Sequence, residues 1–156
     1  MIAVLQRVNN ASVRVDGEIV GSCGKGLCIL LGVADDDCEK DADALAEKIV
    51  GLRIFTDDND KMNLSLLDVS GEMLVVSNFT LLAAYRKGKR PDYMRAAHPD
   101  KANALYEYFS ELCRSKGVKV EQGRFGAHME VLISGDGPVT ITMDSKVLLD
   151  GKKVGG

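Results

Sequence analysis

SVRVDGEIVGSCGKGLCILLGV, residues 12–33, decides the fold class. Val13 and Val15 alternate with polar neighbours, and Asp16-Gly17 is the dipeptide that closes a two-residue hairpin, since both residues tolerate positive φ. A strand over 12–15 should therefore return as a strand over 18–23. Gly24-Lys25-Gly26 then turns the chain into 27–33, an unbroken apolar run suited to a strand buried on both faces. Upstream, 2–8 is a further strand.

Downstream the period changes. Ala42, Leu45, Ala46, Ile49 and Val50 share one face of a helix that Gly51 ends. Asp35-Asp36-Asp37 precedes it, where carboxylates cap free N–H groups and suit the helix dipole. Ile54-Phe55 opens a short strand, 57–61 is a polar loop, and 72–77 is the next strand. A second helix begins in the turn containing Pro99, carries the stripe Ala102, Leu105, Tyr106, Phe109, Leu112 and Cys113, and stops at Gly117. Strands at 118–121, 129–133 and 139–143 follow. There is no internal repeat and no linker; residues 1–144 read as one domain and 145–156 as a peripheral tail.

Composition narrows the function. A chain of 156 residues with 46% hydrophobic and 28% charged residues is an ordinary globular domain. Nothing at the start reads as a signal peptide, because Gln6 and Arg7 interrupt the apolar run at once, and no stretch approaches a membrane span of about 20 residues. Cys23, Cys28, Cys38 and Cys113 have no metal-ligand spacing and read as reduced thiols, which places the chain in the cytoplasm. A net charge of −3 argues against binding nucleic acid over a whole face, and the absence of tryptophan with few aromatics keeps any base-stacking surface small. Arg86, Lys87, Lys89 and Arg90 nevertheless put four cations in five residues, either a solvated loop or a local phosphate-contacting patch.

The usual catalytic signatures are missing. His98 and His128 lack a carboxylate at ligand spacing, Asp57-Asp58-Asn59-Asp60 lacks the glycine and glutamate of a calcium loop, and Gly24-Lys25-Gly26 is too short to cradle a phosphate. No metal or cofactor is expected. What stands out is Ser77-Asn78-Phe79-Thr80-Leu81 and Gly137-Pro138-Val139-Thr140, each following a hydrophobic run, so that hydroxyls, an amide and exposed backbone fall where strands end. Ser77 and Thr80 have no base beside them, and taken singly each segment reads as a turn.

In this order the segments carry a resemblance. MIAVLQRV and ASVRVDG, LRIFTD with KMNL, SNFTL, RKGKRP, LYEYF, GRFGAHM and DGPVT are similar to the D-aminoacyl-tRNA deacylases, from Met1 to about Met143. Two positions depart: Asn78 stands where the family usually has glutamine, and Gly135 where it usually has asparagine. The resemblance implies a layered β/β/α single domain with seven or eight strands and two main helices. Two β layers also follow from the pattern, because two helices cannot cover both faces of one large sheet.

It further implies a homodimer with its site at the subunit interface. Gly137–Pro138 would be cis, braced by Arg7, and would reach into the other subunit's pocket, where its carbonyls bind the α-ammonium of a D-aminoacyl group and its backbone excludes an L side chain. The ribose 2′-OH would help to activate water while N–H groups near Phe79 and Thr80 stabilise the oxyanion, Ser77 and Asn78 completing the motif. Glycyl-tRNA should also be accepted, since glycine has no side chain to exclude. Met129 either lines the adenine pocket or belongs to the core. Two rival readings are a non-catalytic dimeric RNA-binding module and a Ser/Thr esterase of small esters; neither a membrane nor DNA is an expected partner.

Overall fold

The computed structural model describes residues 1–151. In chain order it contains β1 (Ile2–Val15), β2 (Glu18–Cys23), β3 (Gly26–Gly32), α1 (Glu39–Gly51), β4 (Phe55–Thr56), β5 (Met62–Leu64), β6 (Glu72–Ser77), α2 (Pro99–Ser115), β7 (Lys119–Gln122), β8 (Glu130–Asp144) and α3 (Ser145–Leu149). Asp16 and Gly17, at φ 51° and 82°, make the hairpin turn that the sequence announces.

Two strand pairs expected from the sequence are each one strand. Segments 2–8 and 12–15 merge into β1, and 129–133 and 139–143 into β8, because these two long strands pair antiparallel from Ile2↔Asp144 to Arg14↔Glu130. On its other edge β1 pairs first with β3, Ile2↔Gly32 to Val8↔Gly26, and then with β2, Ala11↔Cys23 to Val15↔Glu18. Parallel pairing continues the sheet from β3 to β6 and on to β7.

The sheet curls until its ends almost meet. The Ser22 N–H donates to Glu121 Oε1 at 3.1 Å. A Cβ on Gly21 would stand 2.1 Å from the Gln122 carbonyl oxygen, so only glycine lets β2 approach β7 this closely. Inside the curl lie Val8, Ala11, Val13, Val15, Cys23, Cys28, Leu74 and Val76. Outside it, Leu27, Ile29, Leu31, Met73 and Val75 face Leu45, Ala46, Ile49, Tyr106 and Phe109 of the helices. Alternate residues of β3 and β6 thus fill two cores, which is why both strands read as continuous apolar runs. The result is the expected mixed α/β domain of two β layers and one helical layer.

Two expectations need correction. The aspartates 35–37 do not cap α1, which starts later. Its third residue, Asp41, accepts the Cys38 N–H at 2.9 Å, whereas Asp37 accepts the Ala34 N–H at 2.6 Å and pairs with the Met1 ammonium at 2.7 Å. The stretch from Ser145 does not begin as a peripheral tail: Asp144 caps α3, and buried Ser145 donates to Asp41 Oδ1 at 2.6 Å while accepting from the Met1 ammonium at 2.6 Å. Residues 152–156 lie outside the described residues.

Burial alone would raise the Asp41 pKa, but hydrogen bonds from Ser145, the Cys38 N–H and Lys146, with the nearby N-terminal ammonium, hold it well below the usual carboxylate range. Its share of stability is therefore present above an unfolded value of about 3.9 and lost as the pH falls toward the folded pKa. Asp41→Asn should melt earlier than the parent at pH 7, with the gap closing below about pH 4. Thermal melts across that range check this; a gap independent of pH would contradict it.

Candidate active site

The end of β6 builds the first half of the site. Ser77 pairs with Leu31, and the Asn78 N–H prolongs the ladder by donating to the Leu31 carbonyl at 2.8 Å. The chain then tightens into one 3-10 turn, Phe79–Leu82, that sends Leu82 into the interior. Gly32 makes room for it, since a Cβ there would lie 2.6 Å from Leu82 Cδ2.

Asn78 organises this turn. Its Oδ1 accepts the Thr80 N–H at 3.2 Å and also the Thr80 hydroxyl in a short bond. The Thr80 proton therefore points at an amide oxygen, which is no base, and the Thr80 N–H is occupied. The Phe79 N–H has no hydrogen-bond partner among the described residues and sits at an exposed position. Of the two backbone donors expected here, only that of Phe79 is free to meet an oxyanion. Cysteine offers no alternative nucleophile: burial pushes the Cys23 thiol up to about 11 and those of Cys28 and Cys113 to about 12, while Cys38 is a lone exposed thiol.

The second half is an interruption of the β1–β8 ladder. Gly135 pairs with Val8 and Thr140 with Gln6, so β8 places residues 136–139 where β1 has only Arg7. That excess pushes the backbone out of the ladder, leaving Gly137 and Pro138 exposed. Their peptide bond is cis, and Gly137 has φ 135°, where a Cβ would stand 2.6 Å from the Val139 nitrogen. Arg7, beneath the bulge, donates from Nε to the Asp136 carbonyl at 3.2 Å, pairs with Asp136 Oδ2 at 3.1 Å, and donates from a terminal nitrogen to the Ile54 carbonyl at 2.8 Å. Asp136 and Ile54 are the members of this clamp that sequence reasoning missed; nothing local links them to Arg7.

Along the sheet the two halves are set apart. Through Leu31 and Ala3, Ser77 is in register with Met143, three strands away and five residues beyond Pro138. Measured along the curved surface, that path is roughly 14 Å across the strands and about 16 Å along β8.

The remaining residues fall as follows. Arg86, Lys87, Lys89 and Arg90 cap an exposed loop closed by the Ala84↔Asp92 bridge, and none of them makes an ion pair among the described residues. Met129 is half-buried against the inner core, with its sulfur 2.7 Å from where a Cβ on Gly123 would lie. His98 precedes α2, and both histidines are exposed. Among the described residues no group of three His, Cys, Asp or Glu could hold a metal ion, and no helix is long and apolar enough to cross a membrane.

The comparisons with known proteins agree on this scaffold. The D-Tyr-tRNA(Tyr) deacylase family pattern matches residues 4–144. A D-aminoacyl-tRNA deacylase of Caldicellulosiruptor saccharolyticus is 61% identical over 146 residues, covering 94% of this chain and 98% of the relative. One of Thermosipho africanus is 56% identical over the same shares of both chains. Among solved structures, the c-Myc DNA Unwinding Element Binding Protein superposes with a TM-score of 0.88 at 40% identity, over 92% of this chain and 98% of that one. A structure described as "a probable eukaryotic D-amino acid tRNA deacylase" reaches 0.80 at 19% identity over the same shares, a likeness of fold. With its strand-end turn, its clamped bulge and relatives matched over nearly their full length, this chain belongs to the D-Tyr-tRNA(Tyr) deacylase family.

Proposed function

We infer that this chain is a D-aminoacyl-tRNA deacylase, a hydrolase that cleaves the ester between a D-amino acid and the terminal ribose of tRNA, as its relatives' names state of them. It rejects L-aminoacyl-tRNA, accepts glycyl-tRNA, and serves translation quality control in the cytoplasm. The observation that carries the mechanism is the division of the backbone: an N–H at Phe79 with no partner among the described residues, and an exposed Gly137–Pro138 segment pushed out of the ladder.

Water, aligned by the substrate's 2′-OH, adds to the ester carbonyl. The developing oxyanion accepts from the Phe79 N–H, and collapse expels the ribose 3′-oxygen, which takes up a proton. Free D-amino acid and deacylated tRNA result. The Gly137–Pro138 carbonyls receive the α-ammonium, and the same backbone fills the space an L side chain would need. Arg7 positions this motif through Asp136 and Ile54. Ser77 and Asn78 shape the turn, Met129 borders the adenine, and Arg86, Lys87, Lys89 and Arg90 contact the acceptor end.

A homodimer is part of this reading. Three strand steps along the sheet separate the two halves of one chain; a second copy brings its Gly137–Pro138 carbonyls to the turn at Phe79, and two-fold symmetry then completes two sites at once. A serine or threonine esterase is disfavoured by the Thr80 hydroxyl's bond to an amide oxygen.

Thr80→Ala should cost about fivefold in rate, the worth of one hydrogen bond, whereas a covalent threonine mechanism requires near-total loss. Mass spectrometry of quenched reactions decides, since an acyl group trapped on Thr80 or Ser77 would overturn the hydrolytic scheme.

Assembly is tested by mixing two crippled variants. Gly137→Val cannot keep the bulge, and Phe79→Pro removes the N–H at a place where extended Asn78, at φ −149° and ψ 90°, tolerates a following proline. Each homodimer should lose roughly a hundredfold or more in deacylation. Co-expressed, they should regain activity, because one of the two sites in each heterodimer is intact. No recovery in a verified heterodimer would place both halves in one chain.

A further inference from the structure

Four large apolar side chains lie exposed in one region: Phe79, Tyr85, Tyr93 and Met94 are 58, 81, 37 and 87% exposed. The chain has four tyrosines and four phenylalanines, and the other five rings are buried, half-buried or packed against the core. In a single chain these rings stand in water; the second copy meets the turn at Phe79 through Gly137–Pro138, and Tyr85, Tyr93 and Met94 call for a further partner.

Their arrangement is fixed by the backbone. Ala84 and Asp92 exchange N–H···O bonds of 2.8 and 2.9 Å, closing the neck of the basic loop. Tyr85 and Tyr93 each directly follow a residue of that bridge, and as diagonal positions across an antiparallel pair their Cα atoms stand roughly 7–8 Å apart. Tyr93 meets Phe79 edge to face, with centroids 5.1 Å apart and planes at 77°. Beyond the neck, Arg86, Lys87, Lys89 and Arg90 surround Gly88, whose φ of 68° turns the tip. The Phe79–Tyr93 contact and the Ala84↔Asp92 bridge thus link the turn at Phe79 to the neck from which Tyr85 and the four cations extend, with Met94 next to Tyr93 in the chain.

We propose that Tyr93 and Tyr85, with Met94 beside them, are a stacking surface for the unpaired nucleotides that precede the terminal adenosine of the substrate tRNA. Phosphates of the same segment fall to the basic loop. This rests on the deacylase reading and adds a way of holding the RNA. Single-stranded nucleic acid is held by this combination of π-faces and cations, and stacking tolerates any base. Such a surface grips an end that different tRNAs share without reading the body of any one of them. Met94, flexible and polarisable, fills the gaps that a moving strand leaves.

The test compares D-aminoacyl-tRNA with 3′-O-D-aminoacyl-adenosine, which carries the ester and ribose but no preceding nucleotide. Tyr85→Ala and Tyr93→Leu should each raise KM for the tRNA substrate roughly tenfold with kcat changed less than about twofold. Tyr85→Phe and Tyr93→Phe should match the parent, because the π-face remains. None of the four should alter hydrolysis of the adenosine ester. Alanines at the four cations should instead flatten the salt dependence of KM, by about one unit of slope for each phosphate that is no longer neutralised, a slope the tyrosine variants keep. Tyr85 is so exposed that its alanine variant tests the surface even if Tyr93→Leu disturbs Phe79. An unchanged KM for tRNA in Tyr85→Ala and Tyr93→Leu overturns the proposal, as does an equal loss on both substrates, which would make the rings mere supports of the turn. A parent protein inactive on both substrates would sink the deacylase reading itself.

Discussion

The pairing of β1 with β8 is the constraint on which the rest depends. One strand, Ile2–Val15, serves β8 along one edge and both β3 and β2 along the other. Its first half belongs to the layer under the helices and its second half to the curl that encloses the inner core. A strand so fully partnered has no free register, since a slip of one residue would turn Ala3 and Leu5 to the wrong face. Rigidity here allows the larger of the ladder's two irregularities, the excess of residues opposite Arg7, to hold a definite shape. The bulge is specified by the ladder on either side of it.

In the proposed mechanism, that bulge serves chemistry that has no acid–base side chain. Main-chain groups normally disappear into ladders, where they are closed to a ligand. Two devices interrupt the ladders in this fold: a strand end that breaks into a 3-10 turn, leaving the Phe79 N–H without a partner among the described residues, and a bulge that sets Gly137 and Pro138 outside the pairing. Fixed backbone dipoles need no reorganisation as charge develops, and they hold their charge at any pH where the fold survives. Side chains then serve as braces. Asn78 is spent on capping its own turn, and the Arg7 guanidinium spans from Asp136 to Ile54 because its fork offers several donors at once.

Much of the scaffold was legible in the sequence, for local reasons. The Asp16-Gly17 turn, the stripe from Ala42 to Val50 and the strand ending at Ser77 are each written in adjacent residues. The fusion of segments into β1 and β8 was not, because polar Asn9 and Asn10 and the Gly-Asp-Gly-Pro stretch read as breaks while pairing across the sheet carries the strands through them. Capping of α1 was misplaced because three consecutive aspartates offered three starts, and the choice fell to Asp41 through contacts with Ser145, about a hundred residues away in sequence. The motif residues could be named from resemblance, yet the occupied Thr80 N–H, the free Phe79 N–H and the exposed rings of Tyr85 and Tyr93 depend on geometry that no spacing encodes.

Arg7 has a consequence for how this chain can change over generations. One guanidinium ties a carbonyl just before β4 to a carbonyl in the bulge of β8, two places separated by more than half the chain. A substitution that shifts the start of β4 moves one anchor and so alters what the other tolerates. Variants there should combine non-additively with variants at Asp136, although the two regions are remote in sequence. Drift in one should be followed by compensation in the other, and a chimera that takes its β4 region from one relative and its bulge from another would inherit a mismatched pair.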